Sequence, residues 1–284
     1  MFKKSYGMIE TLSPLHVGAT AGEESGNLNL IFRDQFTNTG IIPGSSIRGR
    51  LRSEMYNSQG KTEADKWYGN EGETGKANST TESTVKIEYA SIVWIPVFCP
   101  GQPIVWVSCP RLLKRYQRIV GTFSPELQKA NPQNLLYKSS RILQPLSIGG
   151  ANKLFFNFGF LTIQSQVDLS IWFPLGEELP AVVVADDEIG MIHDMALYRQ
   201  SRVALEKEEK KAKDKAFFNT EALPEGTILV FPIAIKEDQE NQNDSKTKTP
   251  EKWQPFTNKY TDEIYLGGLE SIGFGHCTLT IKEV

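Results

Sequence analysis

Residues 41–55, "IIPGSSIRGRLRSEM", place a Pro-Gly-Ser-Ser turn directly before a run carrying three arginines. Such a turn at a helix start leaves backbone N–H groups open, and the helix dipole favours an anion at that end. Arg48, Arg50 and Arg52 add positive charge beside it. Phosphate binding by Ser45, Ser46 and these arginines is the chemistry that fits. The alternative is that Ser45 or Ser46 caps the helix while the arginines keep its face solvated. The stretch lacks the complete GxxxxGK[ST] spacing, which disfavours a nucleotide-binding P-loop.

Groups able to move a proton or hold a metal are few. The chain has three histidines, His16, His193 and His276, and none has a sequence neighbour that would make a metal pair. His16 precedes an acidic, glycine-rich loop, and a lone histidine is more often structural than catalytic. Glu23, Glu24 and Asp34 either bind a cation or simply solvate that loop, and the bland reading wins for the two glutamates. Cys99, Cys109 and Cys277 lie far apart with no CxxC spacing, against both a zinc site and a disulfide scaffold, and a reducing cytoplasm is the expected location. Trp67, Tyr68, Tyr116 and Tyr198 lie near basic stretches and either stack bases or pack in the core.

The elements that must position these groups read as follows. Residues 5–12 are a first strand, Ile41–Ile42 a return strand, and Ile47, Leu51 and Met55 recur every four residues as one packed face of the helix after the turn. Residues 57–84 are almost free of apolar side chains apart from Trp67 and Tyr68 and read as an exposed insertion. "VKIEYASIVWIPVFC" and "PIVWVSC" predict two strands, "PRLLKRYQRI" an amphipathic helix, and "KLFFNFGFLTIQSQV" further strand. Residues 186–200 have near-helical apolar spacing with Asp186 and Asp187 at the helix start. The stretch 202–221 is a charged excursion between strands, 236–254 a second polar insertion, and the end a glycine-rich loop leading into a last strand. Strands outnumber helices, which gives an α+β fold with an antiparallel sheet.

At 284 residues the chain can bury a large core, and its 31 basic against 34 acidic residues give a net charge of -3, so any nucleic-acid surface must be local. No stretch approaches the roughly 20 apolar residues of a membrane span, and a soluble protein is expected.

Five ordered motifs, "TLSPLHVGA", "RDQFTNTGIIPGSSIRGRLRS", "ASIVWIPVFCPGQPIVWVSCPRLLKRY", "SRVAL…AFFNTEALPEGTIL" and "LGGLESIGFGHCTLTI", together resemble the RAMP superfamily of CRISPR proteins, specifically the backbone subunit of type III-B (Cmr) effector complexes. The type III-A (Csm) backbone shares the first and last motifs, and a type III-D variant is the other alternative. The resemblance implies a modified RRM-like palm of ferredoxin-like topology over residues 1–284, with insertions at about 57–84, 202–221 and 236–254, the second being a projecting thumb. It implies several copies stacked along a crRNA guide, beside other effector subunits, with complementary target RNA kinked at regular intervals. It assigns guide contacts to Ser45, Ser46 and Arg48, and to Arg52 less directly; Arg50 and Arg202 are further basic candidates, and Gly267, Gly268, Gly273 and Gly275 match the family's glycine-rich loop. Active relatives cut the target at each kink with an aspartate in the loop between the first two motifs, assisted by a divalent metal (Mg or Mn). The matching position here falls on Asn29, whose amide carries no negative charge and cannot act as a base. His16 and Glu221 match a nearby histidine and carboxylate, and Asp34 is a substitute candidate. Three functions follow: a guide-binding subunit with weak or no cleavage, a working metal-dependent endoribonuclease, or a stand-alone enzyme that processes CRISPR precursor RNA.

Overall fold

A computed structural model of the chain describes residues 1–18, 28–70, 80–205, 212–237 and 252–283. Its strands, in chain order, are β1 (Phe2–Thr11), β2 (Leu28–Asn29), β3 (Ile41–Ile42), β4 (Val85–Ile87), β5 (Ala90–Cys99), β6 (Gln102–Ser108), β7 (Lys138–Ser140), β8 (Leu146–Ile148), β9 (Ala151–Phe156), β10 (Gly159–Ile163), β11 (Ser165–Val167), β12 (Ala181–Val183), β13 (Tyr198–Leu205), β14 (Ala212–Ala222), β15 (Ile228–Lys236), β16 (Thr261–Tyr265) and β17 (His276–Lys282). The helices are α1 (Gly44–Gln59), α2 (Lys61–Tyr68), α3 (Pro110–Val120), α4 (Pro125–Lys129) and α5 (Ile189–Ala196).

The main sheet runs β11-β7-β12-β6-β5-β15-β1-β17-β16, with β3 paired to β5 and β4 to β15. The α+β class expected from sequence holds. The sheet is antiparallel at its centre, while β12–β6 and β11–β7 are parallel pairs. The continuous apolar run of β5 follows from burial on both faces. Ile92 and Ile95 join Ile9, Leu229 and Phe231 beneath α1, whereas Val93 and Trp94 join Met8, Val230 and Tyr116 beneath α3. A register shift against Ile228/Leu229 puts the adjacent Val93 and Trp94 on the same side.

Helix α1 buries Ile47, Leu51 and Met55 completely, each contributing about 1.5–3 kcal/mol. Its first residue must be glycine: a Cβ at Gly44 would fall on the Ile87 carbonyl oxygen of β4. The helix start is thereby pressed against the sheet.

Several elements differ from the sequence reading. Residues 61–68 are not exposed insertion but helix α2, which buries Trp67 and Tyr68 against the core. The indole of buried Trp253 donates to the Tyr68 hydroxyl at 3.1 Å, fixing the far end of the second polar insertion. The helix expected in 186–200 is α5, which begins at Ile189, just after Asp186 and Asp187; the Asp186 carboxylate accepts the Arg111 N–H at 2.8 Å, at the start of α3. The 202–221 excursion is the β13–β14 pair of antiparallel strands; residues 206–211 lie outside the described residues, as do residues 71–79 and 238–251. No described helix is long and apolar enough to cross a membrane.

Candidate nucleic-acid interface

The start of α1 faces the loop between β16 and β17. Between them lies a cleft of about 460 Å³ lined by Ser45, Ser46, Arg50, Tyr265, Gly268 and Glu270, among others. Neither serine caps the helix, because no side-chain hydrogen bond is made at its N-cap. The N–H groups of Ser46 and Ile47 bond to the Pro43 carbonyl at 3.0 and 3.3 Å, which leaves those of Gly44 and Ser45 for a partner from outside the helix.

The facing loop is held against the His16 backbone. Gly268 N–H donates to the His16 carbonyl at 2.9 Å, and Gly275 N–H to that of Pro14, also at 2.9 Å. Gly267 has φ +80°, and a Cβ there would collide with the same His16 oxygen. Gly273 closes the short 3-10 turn Glu270–Ile272.

The three arginines of α1 divide between two jobs. Arg50 stays at the cleft, paired with Glu54 at 2.5 Å and with Glu270 at 3.6 Å, and its Nε is buried without a hydrogen-bond partner among the described residues. Arg48 donates to the Tyr68 carbonyl and Arg52 pairs with Asp65 at 3.1 Å, so both bind α2 and neither lines the cleft. The structure thus places Arg48 and Arg52, two of the expected guide contacts, on α2 and not at the cleft with Ser45 and Ser46: the four-residue spacing that pairs them also turns both toward α2. Arg202 lies on the hairpin, with its guanidinium 5.0 Å from the Phe274 ring at the end of the glycine loop.

The expected catalytic group sits next to this cleft. Strand β2 runs parallel to β14 and sets exposed Asn29 beside Thr220, one residue from Glu221. His16 is buried, with Nδ1 2.6 Å from the Glu221 carbonyl. The structure thus gathers Asn29, His16 and Glu221. The Glu221 carboxylate is nevertheless engaged, meeting Arg33 at 3.0 Å and Arg199 at 3.2 Å. Arg33 in turn reaches Asp194 at 2.5 Å. A carboxylate whose oxygens are already held by two guanidiniums is a poor metal ligand.

Asp34 is elsewhere. It accepts from the Phe36 and Thr37 N–H groups at 2.9 and 2.8 Å and from the Thr37 hydroxyl at 3.0 Å. Burial acts to raise its pKa, but these hydrogen bonds outweigh it and hold the carboxyl below the usual range. Its work is to close the 34–39 turn, so it does not replace the missing charge at position 29.

A divalent metal does not fit the described residues. Nowhere among them do three potential ligands gather, the Asn29 amide is neutral, and Glu221 is taken; Glu23 and Glu24 lie outside the described residues.

Of the aromatic candidates, Trp67, Tyr68 and Tyr116 are core residues, while Tyr198 is half exposed and packs edge-on to Phe274. His276 meets Glu263 at 2.9 Å. His193 is fully buried and accepts the Gly40 N–H at 2.8 Å; burial, with help from Arg33 and against Asp194, lowers its pKa to about 4. The three thiols are buried, and burial pushes Cys109 and Cys277 up to about 12. Sequence reasoning missed Tyr265 and Glu270 in the cleft and the Arg33–Asp194–Arg199 framework around Glu221. Their only sequence signal is adjacency to motifs already noted.

No curated protein sequence matches the chain. Solved structures do. One is a chain of a type III-B Cmr-beta complex bound to cognate target RNA, with TM-score 0.68, 18% identity and coverage of 98% of this chain and 96% of that one. Another is oligomeric Cmr4 from Pyrococcus furiosus, with TM-score 0.66, 16% identity and coverage of 100% and 99%. At these identities the likeness is one of fold. The sequence profile of the RAMP superfamily matches residues 8–278, nearly the whole length, and the chain belongs to that superfamily.

Proposed function

We propose that this chain is a backbone subunit of a type III CRISPR effector complex of the Cmr type, working in the cytoplasm. Copies of it line up along a crRNA guide, each seating guide phosphates in the cleft between the start of α1 and the glycine loop. The observation that carries this reading is that cleft: the Ser45 N–H at a helix start, without a partner among the described residues, two serine hydroxyls and Arg50 face a glycine-rich loop that lets a backbone come close. The matched structures, one a complex bound to target RNA and one an oligomer, support it.

Phosphate binding follows from the geometry. An entering phosphate takes a hydrogen bond from Ser45 N–H and competes with the exposed Glu270 for Arg50. The β13–β14 hairpin serves in this reading as the thumb that interrupts the guide-target duplex, which its contacts with the glycine loop through Tyr198 and Arg202 support. Target cutting should be weak or absent, because the group beside Thr220 is an amide.

Length-dependent assembly tests the reading. Mixed with RNAs of increasing length, the chain should form complexes whose copy number rises in proportion to RNA length, seen by mass photometry, without cutting CRISPR repeat RNA. A single copy on every RNA, or specific cutting of repeats by the isolated chain, would overturn it.

A further inference from the structure

On the opposite face of the sheet from α1, helix α3 and the 34–39 turn enclose a second pocket, of about 640 Å³. Arg111, Lys114, Arg115 and Arg118 stand on one side of α3 at spacings of three and four residues, so their side chains share that face. Arg111, Lys114 and Arg118 are exposed, and none pairs with a carboxylate side chain among the described residues. Arg115 is the built-in member, with a side chain only 13% exposed. Its Nε donates to the Ser91 hydroxyl at 2.8 Å, its Nη2 donates to the Tyr89 carbonyl at 3.1 Å, and its guanidinium lies 3.9 Å from the Tyr89 ring centre.

The one carboxylate lining the pocket, Asp34, already accepts three hydrogen bonds from its own turn. The pocket therefore concentrates positive charge in a chain whose total is -3. Burial lowers the pKa of Arg115, and the neighbouring Arg118 charge adds to this against the effects of Tyr89, Glu88 and Asp34; Glu88, 3.9 Å from its guanidinium, offsets part of the charge, and an anion would relieve the crowding that remains.

Charge alone would suit any anion. The second feature narrows the class: Phe36, at the tip of the turn Asp34 closes, is 81% exposed, with the Arg111 guanidinium 5.9 Å from its ring. A bare aromatic ring held by a rigid turn at the rim of a cationic pocket provides a stacking platform beside a phosphate site. An acidic peptide would use the cations but gain little from the ring.

We infer that the α3 pocket binds a nucleotide, with its base stacked on Phe36 and its phosphate among Arg111, Lys114 and Arg118. The unit is either a free nucleoside 5′-monophosphate or one residue of a single-stranded RNA. The site is separate from the α1 cleft and stands whether or not that cleft holds a guide.

The test uses the full chain, with uridine 5′-monophosphate, a uridine trinucleotide, inorganic phosphate and a polyglutamate peptide titrated in turn. Uridine monophosphate should bind more tightly than inorganic phosphate. Phe36→Leu, a change at an exposed position that keeps the fold, should weaken the nucleotide about tenfold and leave phosphate binding unchanged. The double variant Arg111→Ala/Arg118→Ala should weaken both ligands and flatten the salt dependence by about two contacts. Tighter binding of the trinucleotide identifies a strand as the source; equal binding identifies a free nucleotide. Nucleotide binding no tighter than phosphate, indifference to Phe36→Leu, or a preference for polyglutamate would overturn the inference. Arg50→Ala removes the share of phosphate bound at the other cleft, and Phe36→Leu made in that background should weaken the nucleotide by the same factor as in the unaltered chain, so failure at one site is told from failure at the other.

Discussion

Replacing Gly267 with alanine should damage both the fold and RNA binding, and replacing Gly273 should not damage them equally. Both glycines have left-handed backbones, φ +80° and +90°, so each substitution carries a conformational cost of about 1–2 kcal/mol. At Gly273 nothing lies within 4 Å of the added Cβ, and the stiffer unfolded chain returns about 0.4–1 kcal/mol; the net loss is about 1 kcal/mol. At Gly267 the Cβ would fall far inside the 3.0 Å limit of real contacts, against the His16 carbonyl oxygen. The loop must retreat, breaking the 2.9 Å bond from Gly268 N–H to that oxygen and adding about 0.5–1.5 kcal/mol. With the same unfolded-chain return counted, the expected total is about 1.5–2.5 kcal/mol, or a fall in Tm of about 3–4 °C for a chain of 284 residues. Because the same loop is one wall of the cleft, guide RNA affinity should drop more than about tenfold for Gly267→Ala, which corresponds to about 1.4 kcal/mol of lost binding. Urea unfolding and fluorescence anisotropy with labelled RNA measure the two effects. Equal losses of stability and affinity in the two variants would refute the claim that close approach to His16 shapes the cleft.

Other outcomes follow from the same geometry. Arg50→Ala should weaken RNA binding and reduce the salt slope by about one contact; Arg48→Ala, which removes the tie to the Tyr68 carbonyl, should lower thermal stability and leave the slope unchanged. Asn29→Asp in the assembled complex should create or increase regularly spaced cutting of labelled complementary RNA with Mg²⁺, at little cost in stability because the position is exposed. His193 has a folded pKa of about 4 against its ordinary 6.5. The unfolded chain therefore binds more protons between these values, and stability should be constant in this respect above about pH 6.5 and fall with pH toward 4, at up to about 1.4 kcal/mol per unit. Urea titrations at several pH values, compared with His193→Asn, isolate that slope.

Periodic features were legible in the sequence. Ile47, Leu51 and Met55 announced the buried face of α1, and the unbroken apolar run of β5 announced a strand covered on both sides. The motif order carried the superfamily, and it carried Asn29, His16 and Glu221 to one place. Features set by long-range partners were not legible. Helix α2 looked polar because only Ala64, Trp67 and Tyr68 pack inward, and Trp67 and Tyr68 sit at its very end. The separation of Arg50 from Arg48 and Arg52 depends on where α2 and Glu270 come to rest, 13 and more residues away in the chain. The two arginines on Glu221 come from different strands and segments, so a residue that reads as a free carboxylate in sequence is an ion-pair centre in the fold.

The central claim is that a guide strand lies between the start of α1 and the glycine loop. Photo-cross-linking of a 4-thiouridine-substituted guide RNA to the assembled chain, mapped by mass spectrometry, tests it most directly. Adducts should concentrate in peptides 43–53 and 265–275 and disappear with Arg50→Ala/Ser45→Pro. Adducts that avoid both segments would contradict it.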